Sequence, residues 1–165
     1  MSEVRGKEIA ALIINLNVNL VCWSRLHLEQ IFSTNGKEEG KLTIQQFNIL
    51  IYIRDFGINT VSEISKAFCL SKSSTSLTIS KMVAKGYLIK EAPEEGDDGR
   101  KIYFHLTEKG HASLQETEST IMEVAGQHFD SFDAEKRKTL FNHLYMINHL
   151  LITGGTVNEG KTYTF

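Results

Sequence analysis

Between Ser71 and Lys81 the chain reads Ser-Lys-Ser-Ser-Thr-Ser-Leu-Thr-Ile-Ser-Lys, a run of hydroxyls and lysines with no acid. Hydroxyls both donate and accept hydrogen bonds, so they can meet base edges or phosphate oxygens, and lysine adds charge. The candidate nucleic-acid contacts here are Ser71, Lys72, Ser73, Ser74, Thr75, Ser76, Thr78 and Lys81. A second constellation is Asp98-Gly-Arg-Lys101. Arg100 follows Gly96 and Gly99 and is placed to reach a minor groove, where arginine favours narrow A·T-rich steps. Asp98 can hold the Arg100 guanidinium in a fixed fork, and Lys101 adds a further charge. The bland reading is a solvated serine-capped helix plus a surface ion pair, the latter worth about 0–1 kcal/mol.

These groups need elements to aim them. Helical periodicity runs from about Glu3 to Ile31, with Ile9, Leu12, Ile13, Leu16 and Leu20 on one stripe. Ile14, Val18, Val21 and Cys22 form a second stripe, and a helix apolar on two faces is expected between two bodies. Thr43-Ile-Gln-Gln46 and Thr60-Val-Ser-Glu63 are capping boxes. The first opens a helix with Phe47, Leu50, Ile51 and Ile53 inward, ending at Gly57. The second opens a short helix with Val61, Ile64 and Ala67 inward. Ser71 caps a third helix, closed by Gly86, with Leu77, Met82 and Val83 as its expected buried side. Tyr87 to Ala92 and Lys101 to Leu106 are extended runs, the latter with Ile102, Phe104 and Leu106 on one face. They read as a hairpin around the polar turn 93–100. Thr107 caps a long helix carrying Leu114, Ile121, Val124 and Ala125. Asp133 caps a last helix carrying Leu140, Leu144, Ile147 and Leu151. The expected class is mostly α: a winged helix-turn-helix lobe over 42–107, flanked by N- and C-terminal helices at 1–32 and 108–153, to which the resemblance given below assigns dimerisation. The tail 154–165 has no period, and the whole is one domain of 165 residues.

Composition agrees with this reading. Net charge is −2, yet residues 71–90 carry Lys72, Lys81, Lys85 and Lys90 without an acid. Local charge decides, because fields at a DNA surface are screened within about 10 Å at 0.1 M salt. The single proline, Pro93, leaves most of the chain free to be helical. No apolar run approaches the roughly 18 residues of a bilayer span, and the N-terminus lacks a signal-peptide pattern. No membrane partner and a cytoplasmic location are therefore expected.

In detail the sequence resembles the MarR family of winged helix-turn-helix regulators. The matching segments are Leu42-Thr-Ile-Gln-Gln-Phe-Asn-Ile-Leu50, Val61-Ser-Glu-Ile-Ser-Lys-Ala-Phe-Cys-Leu70-Ser, Lys81-Met-Val-Ala-Lys-Gly-Tyr-Leu-Ile89, the wing's Asp98-Gly-Arg100, and Leu106-Thr-Glu-Lys-Gly110. The resemblance implies a homodimer whose first and last helices interlock and whose recognition helices read the half-sites of a pseudo-palindrome. A two-fold dimer sets those half-sites about 10 bp apart. The wing departs from the family in having Gly99 where a base is common, and Glu94, Glu95 and Asp97 at its tip.

The resemblance also implies a cleft for a small anionic or aromatic effector, with Trp23, His27, Tyr52 and His111 as candidates. Core packing is the plainer reading of each. Cys22 lies where peroxide-sensing relatives keep a reactive thiol, but Arg25 is the sole nearby base and reactivity needs a depressed thiol pKa. Cys22 and Cys69 form no disulfide framework. The pairs His105/His111 and His143/His149 lack the spacing of two metal ligands on one helix face, so no metal and no cofactor are expected. No phosphate-cradling loop, nucleophile elbow or His-Glu-x-x-His is present, so an enzyme is not expected. The expectation is a DNA-binding repressor. Its rivals are a winged-helix protein-interaction module and a redox sensor using Cys22.

Overall fold

A computed structural model describes residues 4–34, 38, 40–91 and 102–154, with side chains to residue 150. Helix α1 spans Gly6–Leu28 and passes through a 3-10 turn at Glu29–Ile31. Helices α2 (Ile44–Phe56), α3 (Val61–Ala67) and α4 (Lys72–Ala84) follow. Strands β1 (Leu88–Glu91) and β2 (Tyr103–Leu106) lead to α5 (Glu108–Asp130) and α6 (Ala134–Gly154). The strands pair antiparallel, Leu88 against Leu106 and Glu91 against Tyr103. The last helix runs one residue into what the periodicity assigned to the tail; the rest of the tail lies outside the described residues.

Local chemistry explains where the elements begin and end. Thr43 Oγ1 accepts the Gln46 N–H at 3.2 Å while Gln46 Oε1 accepts the Thr43 N–H at 2.9 Å. Thr60 and Glu63 make the same reciprocal pair before α3. Thr107 and Asp133 each accept an amide N–H of the helix they precede, from Gly110 and Lys136 respectively. Gly57 closes α2 at φ 64°, a left-handed conformation open to glycine at little cost.

The core gathers Leu42, Ile49, Leu50, Ile53, Ile64, Ile79, Met82, Tyr87, Leu88, Phe104 and Leu114, all from the middle of the chain. Hydrophobic burial is therefore concentrated in the lobe that carries α3 and α4. Arg54 ties this lobe to α5: its guanidinium donates to both Glu118 oxygens, at 2.6 and 2.8 Å, and to Asp55. Those bonds, Glu118 first, raise the Arg54 pKa above its ordinary value and keep it charged.

Two expectations need correction, and the apolar stripes of α1 and α6 stand open in the single chain. Ala67 and Ile102 are exposed; Ile64 of α3 and Phe104 of β2 are the residues buried in the core there, with Val61 and Leu106 packed against it. Apart from half-buried Leu16, both stripes of α1 are exposed in the single chain, from Val21 at 47% to Leu12 at 68%. Much of the apolar stripe of α6 is likewise exposed: Leu140 is half-buried, while Leu144 and Ile147 are in contact with solvent. Finally, Gly6–Ile31 is long and apolar enough to cross a membrane by length and composition, with mean hydropathy 1.5. Its isoleucines, leucines and valines outweigh Asn15, Asn17 and Asn19, which interrupt any continuous apolar run.

Candidate nucleic-acid interface

Helix α4 must hold one face in the core and present the other. Thr75, Ile79 and Met82 are buried at spacings of four and three, the inward stripe of a 3.6-residue helix. Lys72, Ser73, Ser74, Ser76, Leu77, Ser80 and Lys81 are exposed. Ser71 is the N-cap: its hydroxyl accepts the Ser74 N–H at 3.2 Å. The connection from α3 turns sharply through Cys69, at φ 52°, a left-handed conformation unusual for a side chain other than glycine.

Two residues on this helix change roles. Thr75, expected to contact DNA, has no exposed surface, and its hydroxyl donates to the Ser71 carbonyl at 3.0 Å. It holds the first turn of α4 rather than facing outward. Leu77, expected in the core, is 59% exposed. The reason is helical phase, since Leu77 and Met82 are five positions apart, about 140° around the helix, and cannot share the buried stripe. Thr75→Val is expected to lower stability by about 1 kcal/mol through the lost hydrogen bond. DNA affinity of the folded protein should stay unchanged, which thermal melts beside binding titrations will resolve.

Thr78 is half-buried, 3.2 Å from the Ser74 carbonyl and 3.5 Å from Gln45 Oε1. Gln45 comes from α2, and pattern reading along α4 had no means of finding it. Together Thr43, Gln45, Gln46, Thr78, Lys81, Ala84 and Lys85 line an open cleft of about 320 Å³ between the start of α2 and the end of α4. Its two lysines make it positive, and the α2 N-terminus adds a favourable end of a helix dipole for an anion. Beyond it, Lys109 Nζ donates to the Lys85 carbonyl at 2.8 Å and lies 5.1 Å from the Tyr87 ring centroid. Asp98, Arg100 and Lys101 lie outside the described residues. At the base of the hairpin, His105 Nε2 is 2.6 Å from a Glu91 oxygen.

The effector candidates fall into separate places. Trp23 and His27 of α1 meet His128 and Phe129 of α5, with Trp23 stacked on Phe129 at 5.2 Å and the two imidazoles 4.3 Å apart. Phe132 closes this group against His128 and Phe129. The Trp23 indole N–H is buried without an acceptor among the described residues. Tyr52 instead packs on Phe56 and Phe68, and His111 is exposed in the first turn of α5. Cys22 and Cys69 are both exposed free thiols. Among the described residues, no three of His, Cys, Asp and Glu gather as a metal site.

Known proteins resemble this arrangement. A family model described as transcriptional regulator SarA/Rot matches residues 30–117. The HTH-type transcriptional regulator TcaR of Staphylococcus aureus (strain Newman) is 25% identical over 117 residues, which are 71% of this chain and 77% of TcaR. A MarR family protein from Bacillus stearothermophilus superposes with a TM-score of 0.64 at 21% identity, covering 92% of this chain and 99% of its own. FabT of Streptococcus pneumoniae, solved in complex with DNA, superposes at 0.53 with 16% identity, covering 92% of this chain and 100% of its own.

Proposed function

The chain belongs to the SarA/Rot family of transcriptional regulators and has the MarR-type winged helix-turn-helix fold, and from that premise we propose that it is a homodimeric repressor of pseudo-palindromic DNA. The observation that carries the reading is the outer face of α4: exposed, acid-free, rich in hydroxyls and flanked by Lys72 and Lys81. Set in a major groove about 12 Å wide, the N-terminal Ser73, Ser74 and Ser76 lie nearest base edges and Lys81 nearest the backbone. Asp98, Arg100 and Lys101 supply the minor-groove contact. FabT offers a precedent in the same fold, having been solved with DNA.

A second copy is the occupant proposed for the exposed faces of α1 and α6. Burying Ile9, Leu12, Ile13, Phe141, Leu144 and Ile147 returns about 25 cal/mol for each Å² of apolar surface removed from water. A small anionic or aromatic effector at Trp23 and His27 would sit where α1 meets α5, between two of the proposed dimer helices. The protein is read as a cytoplasmic regulator without catalytic activity.

The test is sedimentation to establish the dimer, followed by fluorescence anisotropy on A·T-rich palindromes across a salt series. A DNA binder shows log K falling against log[salt] by about 0.9 per neutralised phosphate. Absence of binding at every salt concentration would leave the winged-helix protein-interaction module as the better account.

A further inference from the structure

Leu77 is the one large apolar side chain on α4 that the core does not claim. Thr75, Ile79 and Met82 form the inward stripe, and at about 100° per residue Leu77 stands opposite its centre. It is 59% exposed, with Ser73 four residues before it, Lys81 four residues after it, and Ser76 and Ser80 beside it, all exposed. A leucine at the apex of an otherwise polar face gains free energy when an apolar group removes it from water. In a major groove the base-edge feature that is apolar is the C5-methyl of thymine; the remaining edges are hydrogen-bond donors and acceptors. Leucine has neither donor nor acceptor, so it can distinguish a base there only through that methyl.

We propose that Leu77 is a specificity-determining residue that packs on the C5-methyl of one thymine in each half-site. This rests on the reading that α4 enters the major groove. Ser73 and Lys81 are aligned with Leu77 along the same helical row, so a serine toward the base edges and a lysine toward phosphate fix the height at which Leu77 meets the stack. Leu77 then supplies sequence preference, whereas the lysines supply affinity that is indifferent to sequence.

The experiment uses the full chain and a duplex recovered from it by selection out of a randomised library of about 30 bp, long enough for two half-sites about 10 bp apart. Each thymine is replaced in turn by deoxyuridine, which removes the methyl and nothing else, and binding is followed by anisotropy. At one symmetry-related thymine pair, binding should weaken about fourfold per half-site, the transfer value of one buried methyl converted to a ratio. Leu77→Ala should bind the thymine duplex more weakly and lose that sensitivity, with an unchanged melting curve because the side chain is exposed. If a duplex is selected but no thymine is sensitive, or Leu77→Ala keeps the sensitivity, Leu77 does not read thymine and the proposal is overturned while DNA binding stands. If no duplex is enriched, the DNA reading itself fails and takes this proposal with it.

Discussion

Replacing Lys72 and Lys81 together by alanine is expected to weaken DNA binding by three to four orders of magnitude, roughly, at 0.1 M salt. Both side chains are exposed on α4 and neither belongs to the core, so the loss should come without a change in fold. In the proposed dimer each substitution removes two phosphate contacts. Four contacts at about 0.9 each flatten the slope of log K against log[salt] by about 3.6, and at 0.1 M the affinity changes by about that many decades. The measurement is the same salt series run on wild type and variant. A protein that binds as a monomer would lose only about half that slope, so the result also reports on assembly. An unchanged slope would mean that α4 does not face the phosphates.

Gly110→Ala should destabilise the fold by about 3 kcal/mol, the upper part of the usual range for overpacking, and lower the melting temperature by roughly 6–12 °C. Gly110 lies in the first turn of α5, where a Cβ would run into the Tyr87 carbonyl and touch the Leu106 side chain. That carbonyl is fixed, because it accepts the Thr107 N–H at 3.1 Å. Thr107 in turn donates its hydroxyl proton to the Gly86 carbonyl and accepts the Gly110 N–H at 2.9 Å. The collision is backbone against side-chain root, with no flexible end to move aside. Helix propensity alone gives the opposite sign, since alanine is favoured over glycine by about 1 kcal/mol in a helix interior. The sign of the shift in a thermal melt therefore separates the two effects. A stabilised variant would show that α5 stands far enough from Tyr87 to admit a methyl group.

What was legible in the sequence was what neighbouring residues decide among themselves. The caps at Thr43, Thr60, Ser71 and Thr107 and the stop at Gly57 involve partners within a few positions, so residue type and spacing were enough. The order of elements followed from those caps. Which side of α4 turns inward was harder, because hydroxyls on a short helix give little amphipathic contrast. Met82 was placed correctly, whereas Ile79 was not assigned inward and Leu77 was set against the phase that Ile79 and Met82 share. Thr75 misled by type: a threonine in a hydroxyl-rich run looked like a contact, yet its hydroxyl is satisfied by the turn beneath it. Gln45 was illegible, since the cleft it shares with Thr78 and Lys81 exists only once α2 packs beside α4. The exposed faces of α1 and α6 were read as apolar, but a single chain has nothing to place on them.

The aromatic group at the junction of α1 and α5 gives this protein an intrinsic optical probe. Trp23 is the chain's only tryptophan, so all indole emission originates at one place. Its ring lies within 5.1 to 5.7 Å of His27, His128 and Phe129, three side chains drawn from the two helices that meet there. A shift of one helix against the other changes the polarity and the quenchers around that single fluorophore. Titrations with candidate small molecules, or with DNA, can thus be followed on the unlabelled protein, and a spectral change localises the movement without a further structure.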